Sequence, residues 1–434
     1  MSFLGWIGNG QILLVMVLML GGLLADGATV DQTAFPDVPN KKGLQVQMVD
    51  DAVALGIHHA GINVSLGALF QLVPAAQTIR FQWEGKEWLI NGNYVRSLDA
   101  QIKPLSDAKV TAYLILLAYP TKDPAKDKLL LHPAARADGK YSIAGFNTAT
   151  PEGLALYRAL VAFLAERYSG AHPEHGRVWG YIIGNEVNSQ WLWYNMGLMT
   201  VDQAAAEYEK AVRAASEVIR MHSAHARCYL SFDHHWNTSM PGISENEAYK
   251  TRDFLGHFAL IAKERGDFEW HVAHHPYPDN LGNPRTWLDK DAWPTEDTPH
   301  ITFKNLEVAC KVMEKPEWLW EGKPRRIILS EQGLHCLKSP EGERLQAAGF
   351  AYVWEKVCRQ DGIDALIWHR QVDHAKEGGL RLGLWENKPG TIVTPGKKRP
   401  IWELFRKAGT PEWDAAAVFA LPIVGLKSWD ELTK

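Results

Sequence analysis

The feature that most constrains this chain is a repeated alternation of short apolar runs with amphipathic helical stretches. In the stretch 154–168, Leu156, Leu160 and Leu164 recur at the spacing of a helix face that covers a sheet. Further helical patterns lie at 201–222, which Thr200 or Asp202 can cap, 251–265 and 343–359. Eight runs have the character of strands: 44–49, 60–66, 110–118, 178–186, 227–233, 268–275, 325–331 and 364–369. Eight strands alternating with helices predict an α/β fold, a closed (β/α)8 TIM barrel.

Two segments interrupt this alternation and are predicted to be insertions between strands and helices. The stretch 67–92 contains TIRFQWEGKEWLING, which predicts a β-hairpin that turns at Glu84 and Gly85. The stretch 276–300 is rich in Pro, Asp and Trp, and it predicts a long loop after the sixth strand that walls a substrate site.

The segments outside the alternation define the predicted domain boundaries. We expect a linker over 29–43, a single catalytic barrel over 44–407, and a C-terminal extension over 408–434 that packs on the barrel. Residues 11–24 form an apolar run that ends in small residues. Residues 1–28 are therefore predicted to be a signal peptide cleaved near Gly27 or Ala28, or an uncleaved N-terminal anchor. The chain is expected to be exported, to the periplasm or the cell exterior, with membrane contact only through that segment.

Composition narrows the class of partner. The 46 basic and 50 acidic residues leave a net charge of −4, without the basic excess that holds nucleic acid. The 18 Trp are many for this length; most are expected to pack in the core or in loops, and those beside the strand ends can stack on the faces of the sugar rings of a carbohydrate substrate. The four Cys form no CxxC pair, which makes a zinc cage unexpected and leaves disulfides and free thiols both open.

The candidate catalytic residues are two glutamates at strand ends. In a TIM barrel the reactive side chains lie where the strands end, because the following loops meet at one mouth. The fourth predicted strand ends with Asn185 and Glu186, and the seventh ends with Glu331 followed by Gln332. Three βα units separate the two glutamates, so we expect their carboxyl groups to face each other across the mouth.

Such a pair can cleave a glycosidic bond with retention of configuration. That reaction needs one protonated carboxyl group and one attacking carboxylate, about 5–5.5 Å apart. Glu186 is predicted to be the general acid/base, because a neighbouring carboxylate raises an acid's pKa. Glu331 is then the nucleophile, oriented by Tyr277, and Asn185 can bind the sugar hydroxyl beside the reacting centre.

These motifs resemble the clan of retaining (β/α)8 glycoside hydrolases that carry catalytic glutamates after the fourth and seventh strands. The resemblance spans roughly 44–407 and implies that Glu186 is the acid/base and Glu331 the nucleophile. It also implies that His275 and Tyr277 serve the site after the sixth strand. A Trp at the eighth strand forms the sugar platform in the clan, and here the match is Trp368.

A closer resemblance is carried by the segments IIGNEVNSQWLW, SFDHHWN, VAHHPYPDNL, ITFKN and RRIILSEQG. In these segments the sequence resembles an uncharacterised, mainly bacterial family known only as a domain of unknown function, and this resemblance implies no substrate. The sequence departs from better-known clan members at the second strand, where Asn63 stands in place of Arg. The third strand ends LAYP rather than with a His. Both positions bear on how the first sugar and the nucleophile are held.

Further side chains at the predicted mouth are candidates for substrate binding. They are Asn63, Trp191, His234, Trp236 and Gln332, in addition to those above. The imidazoles that end the fifth and sixth strands favour hydrogen bonding to sugar, and we expect no metal and no other cofactor. Two alternatives stay open: a metal-dependent barrel hydrolase that uses those imidazoles, and a glycan-binding barrel without catalysis.

Overall fold

Eight parallel strands close into a barrel in the computed structural model, which describes residues 30–432. Each strand pairs with the strands before and after it, and the first also pairs with the eighth. The predicted (β/α)8 barrel is confirmed, with all eight strands in the predicted order. The barrel strands are Lys42–Gln45, His59–Ser65, Thr111–Leu117, Gly180–Ile183, Arg227–Phe232, His271–His274, Ile327–Leu329 and Ile363–Trp368.

Helices cover the outside of the barrel and begin at side-chain caps. The Thr150 hydroxyl accepts from the Gly153 N–H, Ser339 caps its helix in the same way, and Thr200 forms a capping box with Gln203. The α-helices of six or more residues are Val49–Ala54, Gly92–Asp107, Pro124–Leu130, Pro151–Tyr168, Val201–Arg220, Thr251–Glu264, Leu306–Met313, Pro340–Cys358 and Pro400–Lys407.

The inward faces of the strands form a packed core rather than a pore. Tyr113 and Tyr229 meet edge to face, with ring centroids 5.7 Å apart. Ile182, Ile328 and other apolar side chains lie above them. Residue 180 must be a glycine, because a Cβ there would lie 2.2 Å from the Tyr113 ring. The filled interior directs polar strand-end residues upward, to the mouth.

The insertion after the second strand is a small antiparallel sheet of Phe70–Gln71, Thr78–Trp83 and Lys86–Asn91. Its hairpin turns at Glu84 and Gly85, both with positive φ, at the predicted position. A second insertion pairs Trp385–Asn387 with Pro395–Lys398. The stretch 276–300 is a long loop whose helical content is the 3₁₀ turn Thr286–Leu288.

The N-terminal boundary of the barrel differs from the predicted one. The first strand begins at Lys42, inside the predicted linker. The Lys42 side chain is buried there and donates to the Arg406 carbonyl. Phe35, also in the linker, packs edge to face on Trp179 beneath the barrel. After residue 408, Trp413 donates to Glu355 of the helix Pro340–Cys358.

The predicted signal peptide or anchor over 1–28 lies outside the described residues, and export stays a prediction. Within 30–432, no helix is long and apolar enough to cross a membrane. The cysteines are free thiols: Cys228, Cys310 and Cys336 are buried, and Cys358 is exposed.

Candidate active site

Glu186 lies in a tight turn that follows the fourth strand. Its φ of 40° places it in the left-handed region, which a residue other than glycine adopts at a cost. The turn is held by two hydrogen bonds: the Glu186 N–H donates to Ser231 Oγ at 3.0 Å, and its carbonyl accepts from the Ser189 N–H at 2.8 Å. The backbone is therefore fixed so that the carboxyl group meets its neighbours across the mouth.

The carboxyl groups of Glu186 and Glu331 lie close together above the barrel core. One oxygen of each, together with a ring nitrogen of His275, lies within 4.8 Å of the others. Glu186 is buried, and Glu331 is partly exposed. Two carboxyl groups that approach this closely at the mouth of a barrel are compatible with the separation of about 5–5.5 Å that attack by one carboxylate requires.

His275 connects the two strand ends that carry the glutamates. Its Nδ1 lies 2.8 Å from Glu186 Oε1, and its Nε2 lies 2.9 Å from Ser330 Oγ. Ser330 directly precedes Glu331. Because both ring nitrogens are engaged, the ring sets the position of the Glu186 carboxyl group relative to the seventh strand.

Glu331 is held by different partners on each oxygen. The Tyr277 hydroxyl donates to Oε1 at 3.3 Å, and Gln45 Nε2 donates to Oε2 at 3.3 Å. Gln45 Oε1 in turn lies 2.6 Å from His369 Nδ1, and His369 Nε2 lies 2.9 Å from Glu377 Oε1. This chain of contacts fixes the Gln45 amide so that its N–H₂ group points at the carboxylate.

The pKa values of the two glutamates are shifted in opposite directions. Burial raises the pKa of Glu186, although the hydrogen bond and charge of His275 oppose the rise. Burial also acts to raise the pKa of Glu331, but the charges of His369 and His275 and the Gln45 hydrogen bond outweigh it and lower the pKa. Glu186 is thus suited to hold a proton and Glu331 to be ionised, the separation of roles that acid and nucleophile need.

A cleft opens between the first two strands and the loop after the eighth, next to Gln45, which donates to Glu331. Its lining includes Gln45, Gln47, Asn63 and Arg370. Asn63 is exposed there and stands where the resembled clan has an Arg. The positive charge of Arg370 helps to lower the pKa of Glu331. Tyr119 lies two residues beyond the third strand, and burial together with the nearby charge of Glu331 raises its pKa to about 12.

Other predicted substrate-binding residues lie at the mouth in different settings. Asn185 is mostly buried, and its side chain makes no hydrogen bond to residues 30–432. Trp191 is half-buried, with an indole N–H that finds no acceptor in the described chain. Trp193, which is not among those predicted residues, packs directly on the barrel core. His234 is partly exposed and stacks on His235, with ring centroids 4.3 Å apart.

Three predicted substrate-binding residues point into the protein instead. Trp368 is fully buried against Phe350, because Ile367 takes the inward face and the next residue must face the helices. Trp236 is buried and donates its indole N–H to the Glu296 carbonyl. Gln332 is buried and donates to the Leu329 and Ile367 carbonyls, so it joins two strands rather than contacting the mouth.

Asp233 supports the segment that follows Glu186. It accepts from Asn188 Nδ2 at 2.6 Å and from the Ser189 hydroxyl, and it lies 3.0 Å from His235 Nδ1. Burial acts to raise its pKa, but the close contact with His235, the charges of His235 and His234, and the Ser189 hydrogen bond outweigh this and hold the pKa well below its usual range. An ionised, buried carboxylate therefore lies beneath the mouth on the side of Glu186.

The sequence indicated some of these partners weakly and others not at all. Gln45 alternates with apolar residues in the first predicted strand, and His369 ends the eighth, so their positions carried a signal. Ser330 lies in the SEQG motif. Glu377 reaches His369 only because the loop after the eighth strand folds back, and nothing in its local sequence marks it.

Residues 34–432 match a family described as a family of unknown function, DUF5722. No curated protein matches the sequence.

Several solved barrels are similar in fold. A β-glucosidase from Pyrococcus furiosus is 14% identical, with a TM-score of 0.54 over 86% of each chain. A family 39 glycoside hydrolase from Bacteroides cellulosilyticus WH2 is 12% identical, with a TM-score of 0.53 over 84% of this chain. The matched part spans 60% of that enzyme's length. A glucosidase from Croceicoccus marinus is 11% identical, with a TM-score of 0.52 over 88% of this chain and 67% of its own. At such identities the likeness establishes the barrel fold.

Proposed function

The chain belongs to DUF5722, a family of unknown function, and we propose that it is a retaining glycoside hydrolase acting on an O-glycoside or polysaccharide. Glu186 is the general acid/base and Glu331 the nucleophile. The observation that carries the proposal is the close approach of two carboxyl groups whose pKa values are shifted in opposite directions. The fold shared with several glycosidases supports the same class of reaction.

In the first step, the Glu331 carboxylate attacks the anomeric carbon and the bond to the leaving oxygen breaks. Glu186 gives its proton to that oxygen as the bond breaks. The hydrogen bonds from Tyr277 and Gln45 hold the attacking carboxylate in one orientation. The products are a glycosyl ester on Glu331, a free alcohol and an ionised Glu186.

In the second step, water replaces the leaving alcohol. The charge of Glu331 contributes to raising the pKa of Glu186, and that charge disappears when the ester forms. Glu186 is then a better base for taking a proton from water, whose oxygen attacks the anomeric carbon and releases the Glu331 carboxylate. Loss of one charge thus switches Glu186 from acid to base.

The first sugar must reach Glu331, and the cleft whose lining includes Asn63, Arg370 and Gln45, the residue that donates to Glu331, suits it. Trp193 lies over the barrel core at the mouth, and Tyr119 is exposed at the end of the third strand. An aromatic face and amide groups together suit a ring with several hydroxyls.

The test is incubation with a panel of activated 2-fluoro glycosides, followed by intact-mass and peptide mass spectrometry. We expect one covalent adduct per chain, located on Glu331, with the sugar that fits the cleft. The matched control is Glu331→Gln, which keeps the size of the side chain and should give no adduct. Turnover of a glycoside that chelators stop, without any adduct, would favour a metal-dependent hydrolase. Glycan binding without turnover would favour a barrel that only binds.

A further inference from the structure

A second cluster of polar side chains lies at the mouth, beside the carboxyl pair. The imidazoles of His234 and His235 follow the fifth strand, and His300 lies at the end of the long loop after the sixth. One ring nitrogen from each lies within 4.8 Å of the others. The ring centroids are 4.3, 4.8 and 5.1 Å apart. Three imidazoles are thus gathered around one point.

Two of these rings are each contacted by a carboxylate at Nδ1, which orients the ring. His300 Nδ1 lies 2.7 Å from Asp279 Oδ1, and His235 Nδ1 lies 3.0 Å from Asp233 Oδ1. The second contact is close enough for an ion pair but bent away from hydrogen-bond geometry. A carboxylate on one nitrogen of a ring leaves the other nitrogen free and raises its strength as a ligand, the arrangement that surrounds metal-binding histidines.

The third ring carries a polar atom that the protein does not satisfy. His234 Nδ1 is buried and has no hydrogen-bond partner in the described part of the chain. A buried ring nitrogen without a partner costs free energy, so a ligand at that atom would relieve a penalty. The ring itself stays partly exposed, as does His300, so the cluster can be reached from solvent.

We propose that His234, His235 and His300 bind a divalent transition metal of the zinc type, with Asp233 and Asp279 as the residues that orient the ligands. Imidazole nitrogens suit such ions, and three histidines leave a fourth position for water or a substrate group. Ligand nitrogens around zinc lie about 3.4 Å apart, given bonds of about 2.0–2.1 Å, so modest ring rotations would close the site.

The ion would join two loops that already meet. The His235 backbone pairs with that of His300, and the Ile301 N–H donates to the His234 carbonyl. Asp233 also holds the segment after Glu186 through Asn188 and Ser189. The ion would therefore fix the loop wall on the acid/base side of the mouth, apart from the carboxyl pair. This inference does not depend on glycosidase activity.

The test uses the full chain, stripped with a chelator and dialysed. Zn²⁺ binding is followed by calorimetry and by elemental analysis of the equilibrated protein, and Co²⁺ binding by its visible absorption. We expect one ion per chain and a higher melting temperature with Zn²⁺. His300→Ala and His234→Ala should weaken binding at least about tenfold, and Asp279→Asn about 10–100-fold.

Two control variants make the assignment specific. His225→Ala removes an exposed imidazole that precedes the fifth strand and should leave binding unchanged. Glu331→Gln should also leave it unchanged, which separates this cluster from Glu186, His275 and Glu331, another group with metal-ligand spacing. Melting curves of each variant establish that it folds. Absence of bound ion at saturating Zn²⁺ and Co²⁺, or binding that survives in both His300→Ala and His234→Ala, would overturn the proposal.

Discussion

Nδ1 of His275 lies 2.8 Å from Oε1 of Glu186, and the far side of the same ring is fixed by the Ser330 hydroxyl. The acid/base candidate therefore cannot change its hydrogen bonding without moving a ring that is buried between two strands. Burial raises the pKa of Glu186, and this imidazole limits the rise. The same ring adds positive charge near Glu331 and helps to lower the pKa of that carboxyl group.

The pH dependence of kcat/KM should follow from these opposite shifts. Activity requires Glu331 ionised, and its lowered pKa places the acid limb below the range of an ordinary glutamate. Activity also requires Glu186 protonated, and its raised pKa places the basic limb above that range. We expect a bell-shaped profile measured with an unactivated substrate. In Glu186→Gln the basic limb should disappear and kcat/KM should fall about 10²–10⁴-fold. A basic limb that persists in that variant would assign it to another group.

The roles of the two glutamates can be separated by the configuration of an azide product. In Glu186→Ala, an aryl glycoside with a good leaving group still forms the ester on Glu331. Azide then attacks from the side that Glu186 vacated, so the glycosyl azide should have retained configuration. In Glu331→Ala, azide takes the place of the nucleophile and the product should be inverted. NMR of the products reads the outcome, and the reverse pattern would exchange the two roles.

Gln45 is expected to be a positioning residue for the nucleophile. Gln45→Met keeps the side-chain length but removes the N–H donated to Glu331, a hydrogen bond to a charged group worth about 1.5–3 kcal/mol. The pKa of Glu331 should rise, so the acid limb should move to higher pH while kcat/KM falls about tenfold or more. Asn63→Ala, which removes a cleft residue not bonded to Glu331, should lower kcat/KM without moving that limb. If the pH profiles of kcat/KM for Gln45→Met and Asn63→Ala were the same, Gln45 would not be a positioning residue for Glu331.

The barrel, and the meeting of Glu186 and Glu331 at its mouth, could be predicted because both depend on patterns that survive small errors in strand boundaries. Alternation identifies a strand even when its ends are misplaced, and a glutamate one or two residues beyond a strand still reaches the mouth. The direction of one side chain does not tolerate such errors. Trp368 was expected at the mouth and faces Phe350, because a shift of one residue exchanges the two faces of a strand.

Side chains that fold back could not be predicted for a different reason. Gln332 follows Glu331 and was expected to contact substrate, yet its amide donates to two strand carbonyls. Trp236 similarly donates to Glu296, which lies in the long loop after the sixth strand. Their partners are distant in sequence or are backbone atoms, so no local sequence pattern predicts these contacts. Glu377 became part of the site by the same kind of tertiary contact.

A last prediction concerns what holds the mouth in place after the eighth strand. Arg399 is fully buried and pairs with Asp373, with Nη1 2.9 Å from Oδ1, and it also donates to the Gly383 carbonyl. Arg399→Met would leave the Asp373 carboxylate buried without its cation, at a cost of about 3–5 kcal/mol in the free energy of unfolding. The double variant Arg399→Met with Asp373→Leu removes both charges and should recover part of that loss, because no unpaired charge remains.

Urea denaturation followed by tryptophan fluorescence measures the free energy of unfolding of each variant. Arg406→Met, at a solvent-screened pair with Glu403, is the matched control and should leave stability essentially unchanged. An equal loss in the single and double variants would mean that the Arg399 side chain stabilises the fold by packing rather than by its charge.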